Sequence, residues 1–271
     1  MNRVALVTGA SSGIGAATAR RLARAGLTVY GAARRLDRLA ELAADGVRAV
    51  ELDVTSDDSM TAAIDHVLSE AGRIDVLVNN AGYGSYGAIE DVPMAEARRQ
   101  IEVNLFGLAR MIQLVVPGMR GRGGGTIVNI TSIGGKITTP LGGWYHASKF
   151  AVEGLSDALR TELAPFGIDV VVIEPGGIAT EWGDIAMESA KAASGDGAYA
   201  ERVAAASAAM EGPIAQRGSD PDVVARTIER SVTAGRPRTR YAVGFMAKPS
   251  LIARRVLPDR AMDWIQTRML G

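Results

Sequence analysis

The chain contains no cysteine. That absence removes disulfides, thiolate nucleophiles and cysteine-ligated zinc together, and it fits a reducing compartment. Histidine is scarce: only His66 and His146 occur. A Ser-His-Asp hydrolase would have to use one of them. His66 falls in a helical pattern far from the other motifs, and His146 reads as structural. Lysine is scarce too, with only Lys136, Lys149, Lys191 and Lys248 among 30 basic residues. Charge of one sign is missing, since 30 basic residues meet 30 acidic ones. A strongly basic nucleic-acid binder and an acidic disordered chain are therefore both disfavoured. No apolar run approaches the ~18 residues of a membrane-spanning helix. Met1-Asn2-Arg3 runs directly into an apolar strand, leaving no room for a secretory leader. The expectation is a soluble cytoplasmic protein with no metal centre.

What the chain has is alternation. Strand-like runs are predicted at 3–8, 28–33, 47–52, 76–78, 126–130 and 169–173, with a weaker seventh at 239–243. Helical patterns fall at 14–26, 36–44, 57–71, 94–119 and 143–165. Several strands are continuously apolar, as strands buried on both faces must be. The prediction is one α/β domain over 1–271: a doubly wound parallel sheet of about seven strands in three α/β/α layers. Such sheets bind ligands beyond the carboxyl ends of their strands. Residues 178–216 are Ala-rich and sit where a substrate lid would lie, the alternative being a plain surface helix. Residues 246–271 read as a C-terminal helical extension.

The first strand runs into Thr8-Gly9-Ala10-Ser11-Ser12-Gly13-Ile14-Gly15, and a helix pattern follows. Glycines let a backbone approach a pyrophosphate, and the helix start offers free N–H groups to it. The spacing is G-x-x-x-G-x-G. The second strand chooses the dinucleotide. An acid at its end would hold a ribose hydroxyl and select NAD. Here Ala33 takes that place, and Arg34 and Arg35 follow. A guanidinium matches a 2′-phosphate, so NADP is predicted, with Arg34 preferred over Arg35. The alternative is a pair of solvated arginines and an NAD-preferring enzyme.

These residues, with Asp53 in Leu-Asp-Val, Asn79-Asn80-Ala81-Gly82, Asn104, Ser132, Tyr145, Lys149, Pro175, Gly176 and Thr180, occur in an order that resembles the single-domain short-chain dehydrogenases/reductases over nearly the whole chain. The resemblance implies a Rossmann fold. It implies that Gly9, Ser11, Ser12, Gly13, Ile14 and Gly15 hold the cofactor phosphates. Asp53 and Val54 would then meet the adenine, with helix capping the alternative for Asp53. Asn80, Ala81 and Gly82 would line the cofactor. Pro175, Gly176, Ile178 and Thr180 would meet its nicotinamide end. Asn104 would hold the lysine through a water, and the helices at 103–119 and 143–165 would pair across a two-fold axis in a homodimer or homotetramer.

Tyr145 and Lys149 are four residues apart on a helix, so they share a face. A phenol of ordinary pKa ~10 is a poor base at neutral pH, and an ammonium nearby favours the phenolate. Ser132 lies 13 residues upstream, just after a strand. The chemistry this predicts is hydride transfer between a carbonyl and an alcohol. Ser132 orients the oxygen, Tyr145 moves the proton, and Lys149 tunes the tyrosine and binds the nicotinamide ribose. Tyr86, Ile133, Trp144, Gly177 and Trp182 would surround a moderately large, apolar substrate. A cofactor-sensing protein without turnover is the alternative from another class. Residues 217–271 carry ten arginines and Lys248 against five acids, a net +6, which leaves −6 for the rest. That tail reads as a docked C-terminal helix in preference to a membrane-surface contact.

Overall fold

In the computed structural model β1 (Val4–Thr8) is buried at every position, as its unbroken apolar run requires. The structure describes residues 2–212 and 217–269. Residues 213–216 of the predicted lid segment, 270–271 of the extension and Met1 lie outside them. β1 is joined by β2 (Thr28–Ala33), β3 (Val47–Glu51), β4 (Val76–Asn79), β5 (Gly125–Ile130), β6 (Ile168–Pro175) and β7 (Arg240–Val243). All pairings are parallel, in the order β3-β2-β1-β4-β5-β6-β7. All seven predicted strands are present.

Side chains of β1 alternate between the two faces. Leu6 points to the side covered by α3 (Asp57–Ala71), α5 (Leu108–Gly121) and α6 (Gly143–Leu163), where Leu77, Ile127, Met111, Val115 and Val152 join it. Ala5 and Val7 point to α1 (Gly13–Arg24), α2 (Leu36–Ala40) and α9 (Pro221–Thr233), where Leu22, Leu39, Val224 and Ile228 close the other layer. Chain order reverses between β1 and β4. The crevice outside their carboxyl ends is where such a sheet takes a ligand.

The predicted helix at 94–119 is continuous in direction but not in pitch. α4 (Met94–Ile101) passes through a wider π turn, Glu102–Gly107, into α5. Such turns recur at functional sites, and Asn104 sits in this one. By length and composition the run Met94–Gly121 could cross a membrane. Here Met111, Ile112, Val115 and Met119 are buried against the sheet.

After β6 come α7 (Trp182–Ser194) and α8 (Ala200–Glu211). They form a small separate core of Ala186, Met187, Ala190, Val203 and Ala206 with Ala88 and Leu141. α10 (Ala247–Val256) and α11 (Asp259–Met269) end the chain.

Gly107 sets how closely α5 approaches the loop after β3. A Cβ there would sit 2.9 Å from Val54 Cβ and overlap the Val54 carbonyl. Gly107→Ala is expected to cost about 1–3 kcal/mol. It should lower the urea midpoint without changing the m-value. A wild-type midpoint would show that the contact yields freely.

Candidate active site

The turn after β1 is built by close approach. Gly9 has φ +65°, and a Cβ on it would lie 2.8 Å from Ala81 Cα. A Cβ on Gly15 would lie 2.6 Å from Asn80 Nδ2 and overlap the Gly9 carbonyl. Asn80 fixes the turn from below: its amide donates to the carbonyls of Thr8 (3.1 Å) and Gly9 (3.2 Å). The Thr8 hydroxyl accepts from the backbone N–H of Asn80 and of Ala81, both at 3.0 Å. Gly13, at φ +51°, faces the Thr180 side chain. Ile14 packs partly buried on the sheet. The turn thus joins the Asn80-Ala81-Gly82 segment and Thr180 in one crevice.

The two arginines part company. Arg35 turns back to the loop and donates to the hydroxyls of Ser11 (3.1 Å) and Ser12 (3.4 Å). Arg34 is exposed and lies near Asp53. Asp53 does not cap α3; Ser56 does, accepting from Ser59 N–H. Asp53 instead accepts from the N–H and hydroxyl of Thr55. Burial works against its charge, but Thr55 and the Arg34 guanidinium outweigh it and hold the carboxyl below its usual range. Val54 is buried beside it. Gly9, Ser11 and Gly13 also have the spacing of a nucleophile elbow, but no histidine reaches them. His66 packs edge-on to Tyr30, and His146 is tied elsewhere.

α6 begins with Tyr145, His146 and Lys149, all buried. Lys149 Nζ donates to the Ile130 carbonyl at 2.9 Å and lies 5.9 Å from the centre of the Tyr145 ring. Ser132, immediately beyond β5, accepts from Gly134 N–H and donates to the Pro175 carbonyl at 3.5 Å. The ends of β5, β6 and α6 therefore bring Ser132, Tyr145, Lys149 and Pro175 together. Asn104 is buried but serves the strand-end segment. It accepts from Tyr83 N–H at 3.1 Å and donates to the Tyr83 carbonyl and to Ser148 Oγ. No direct bond joins it to Lys149.

One expectation is corrected. Burial pushes the Tyr145 phenol up to about 12, opposed by the nearby Ser132 hydroxyl. Burial also pulls Lys149 down to about 8, against the pull of Glu153. Desolvation is the larger influence on the tyrosine, and the Ser132 hydroxyl only partly offsets it. The phenol keeps its proton at neutral pH.

Two groups that the motifs did not reveal support the site. Glu153, one turn after Lys149, is almost fully buried. Its carboxylate accepts from Thr131 Oγ1 (2.7 Å) and pairs with Lys136 (2.9 Å) and Arg240 (3.0 Å). It ties α6 to the residue before Ser132. The only sequence signal is an acid four positions after a lysine on a buried helix face. His146 is the second. Its Nδ1 lies 3.0 Å from the Gly134 carbonyl, and Nε2 accepts from Thr139 N–H at 2.9 Å. It pins both ends of the loop that carries Ser132 and Ile133.

At Tyr145 the structure gathers three rings. Tyr86 and Trp182 lie 5.9 and 5.0 Å from the Tyr145 ring and 5.6 Å from each other. Gly84 admits Trp182, since a Cβ there would overlap the indole. Trp144 is not among the rings that meet Tyr145; as the preceding residue it points about 100° round the helix. Gly176 and Gly177 lie under Phe245, whose carbonyl accepts from Gly177 N–H. Ile178 packs under Gly244.

His146 gives a pH-dependent test. Burial lowers its pKa, so the folded state binds fewer protons than the unfolded chain, where the group titrates near ~6.5. Its stabilising contribution is full above that value and is lost as pH falls below it. The urea midpoint should therefore fall more steeply from about pH 7 to about pH 5 in the wild type than in His146→Gln. Parallel falls would remove His146 as the cause.

Comparison with known proteins places this geometry. A profile of the short chain dehydrogenase family matches residues 3–190. The chain is 43% identical over 183 residues to a 3-ketodihydrosphingosine reductase of Bacteroides thetaiotaomicron, covering 67% of this chain and 66% of that protein. It is 35% identical over 278 residues to an NADPH-dependent 3-dehydrocapnine reductase of Ornithobacterium rhinotracheale, covering 97% and 95%. The crystal structure of a short-chain dehydrogenase from Streptomyces avermitilis superimposes with a TM-score of 0.81 at 36% identity, over 99% of this chain and 95% of that one. With a parallel sheet, a glycine turn and a serine–tyrosine–lysine cluster in this arrangement, the chain belongs to the short-chain dehydrogenase/reductase family of NAD(P)-dependent oxidoreductases.

Proposed function

We propose that the protein is an NADPH-dependent reductase that converts a ketone or aldehyde on an apolar, moderately large substrate to an alcohol. The observation that carries this reading is the convergence of Ser132, Tyr145 and Lys149 beside the glycine turn. The turn fits a dinucleotide, because without a Cβ Gly9 and Gly15 pack directly on Ala81, Asn80 and each other, which makes the turn tight enough for the start of α1 to face a pyrophosphate. Gly9, Ser11, Ser12, Gly13, Ile14 and Gly15 then hold the phosphates. Arg34 and Arg35 take the 2′-phosphate, and Asp53 and Val54 border the adenine. Asn80, Ala81, Gly82, Pro175, Gly176, Ile178 and Thr180 line the remainder. The bound nicotinamide supplies the hydride.

The chain's own residues manage the oxygen. Ser132 Oγ donates a hydrogen bond to the carbonyl oxygen as negative charge grows there. Tyr145 donates its proton to the same oxygen, which is more basic as an alkoxide than the phenolate left behind. A phenol held near 12 carries its proton at neutral pH, the form that reduction requires. Lys149 compensates the phenolate charge as it forms and binds the nicotinamide ribose. Asn104 acts as a positioning residue through Tyr83. Tyr86, Ile133, Gly177 and Trp182 make an apolar wall, with Trp144 at its edge. The relatives, reductases of a 3-keto and a 3-dehydro compound, support the ketone-to-alcohol direction.

The whole chain works as a single domain in which α7 and α8 form the substrate lid. Ser189 and Ser194 of α7 accept from the N–H groups of Tyr86 and Ala88, fastening it to the substrate wall. Exposed Phe106 and Phe150, on the long helical runs, support a homodimer or homotetramer. The absence of cysteine fits a cytoplasmic location.

A panel of ketones and aldehydes with NADPH tests the function. Tyr145→Phe is expected to abolish turnover and leave NADPH binding near wild type. Surviving turnover would overturn the mechanism. Cofactor choice is a separate measurement. Arg34→Ala and Arg35→Ala should each weaken NADPH about tenfold or more, the worth of a charge-assisted bond, and leave NADH unchanged. Wild-type binding of NADH as tight as NADPH would sink the phosphate reading.

A further inference from the structure

The charge asymmetry of the sequence has a place in the fold. α10 and α11 are consecutive helices, each with a buried side and an outward side. Ala247 and Met262 are buried, and α10 packs against β7 and the Ile133–Gly135 turn. The outward side is apolar and cationic. Of the large hydrophobic residues in the described chain, the four most exposed are Val256 (68%), Ile89 (67%), Ile252 (62%) and Trp264 (60%). Three of these four belong to α10 and α11.

Spacing puts them on shared faces. Lys248, Ile252 and Val256 follow each other at i, i+4 along α10, with Arg255 beside them. Arg260, Trp264 and Arg268 do the same along α11. Trp264 is two residues from buried Met262, so it points about 160° away from the body. The Arg268 guanidinium lies over the Trp264 ring at 4.8 Å. Among the described residues, Lys248, Arg255, Arg260 and Arg268 have no carboxylate within salt-bridge distance; Arg254 alone pairs, with Asp259. The two helices thus leave free cations around exposed aliphatic and indole groups.

We infer that the outward faces of α10 and α11 dock the protein onto an anionic lipid surface. Such a surface satisfies both features at once. Lipid phosphates attract the lysine and arginines, while Ile252, Val256 and Trp264 enter the boundary between headgroups and chains. An indole with a guanidinium over it suits that boundary, which is apolar on one side and wet on the other. A second copy of the chain suits the face less well. A two-fold contact would set the same unpaired cations against themselves. The N-cap of α10, Met246, directly follows Phe245, whose carbonyl accepts from Gly177 N–H at the substrate side. Docking there holds the apolar wall close to a bilayer. The inference stands apart from the proposed reaction, because it uses no residue of the catalytic cluster.

The test is co-sedimentation of the full chain with vesicles, comparing equal parts phosphatidylglycerol and phosphatidylcholine with phosphatidylcholine alone. Binding to the anionic vesicles only, weakened by salt, is expected. The triple variant Ile252→Ser, Val256→Ser, Trp264→Ser should lower the partition by about tenfold or more. These side chains are exposed and outside the site, so turnover of a water-soluble carbonyl should be unchanged and reports that the variant is folded. Three results would overturn the inference. One is no binding to anionic vesicles. Another is undiminished binding by the triple variant, with heparin an equal competitor, which marks a face for polyanions. The third is a wild type that self-associates through this face, shown by a smaller sedimentation coefficient for the triple variant.

Discussion

A lysine ammonium shut away from water is the constraint around which this site is arranged. Lys149 is nearly fully buried, and an uncompensated charge there would cost several kcal/mol. The structure meets that cost in pieces. The Ile130 carbonyl at the end of β5 accepts one N–H, and Glu153 supplies a negative charge one turn along α6. Glu153 is itself buried and needs Lys136, Arg240 and Thr131 around it. The chain of compensation reaches from the loop after Ser132 to β7. Placing one ammonium therefore fixes the start of α6, the end of β5 and the strand that closes the sheet. Tyr145 and Ser132 take their positions from the same elements.

The dinucleotide side obeys a different constraint, that of close backbone approach. Gly9, Gly15 and Gly107 each stand where a methyl group would strike backbone or a neighbouring side chain. Asn80 and Thr8 convert that closeness into hydrogen bonds. The crevice between β1 and β4 is held open by steric fit on one side and by a charge network on the other. The two meet at Asn80-Ala81-Gly82, where Gly82 lies between Asn104 and Lys149.

Much of this was legible in the sequence, because alternation and local spacing report local structure. The strand runs, the glycine turn and the shared face of Tyr145 and Lys149 depend on neighbours within a few residues. What escaped depends on contacts between distant segments. The π turn at Asn104 leaves no mark on a helical pattern. Glu153 gains its meaning from Thr131, Lys136 and Arg240, the last 87 positions away. The balance between Arg34 and Arg35 depends on which way a helix start turns. The pKa of Tyr145 was misjudged because a motif records a charge nearby but not the loss of water. The basic tail was legible as composition, yet its outward face required knowing that Met262 is buried.

The claim on which the account rests is that Lys149 is a desolvated ammonium that must stay charged for Tyr145 to give up its proton. Its pKa of about 8 makes that claim measurable in the free enzyme. The direct measurement is the pH dependence of kcat/KM for carbonyl reduction. The account predicts a fall as pH rises through about 8. It predicts that the fall disappears in Lys149→Arg, whose guanidinium stays charged. A profile flat to about pH 10, the range of an ordinary lysine, would contradict it, as would the same break in the arginine variant.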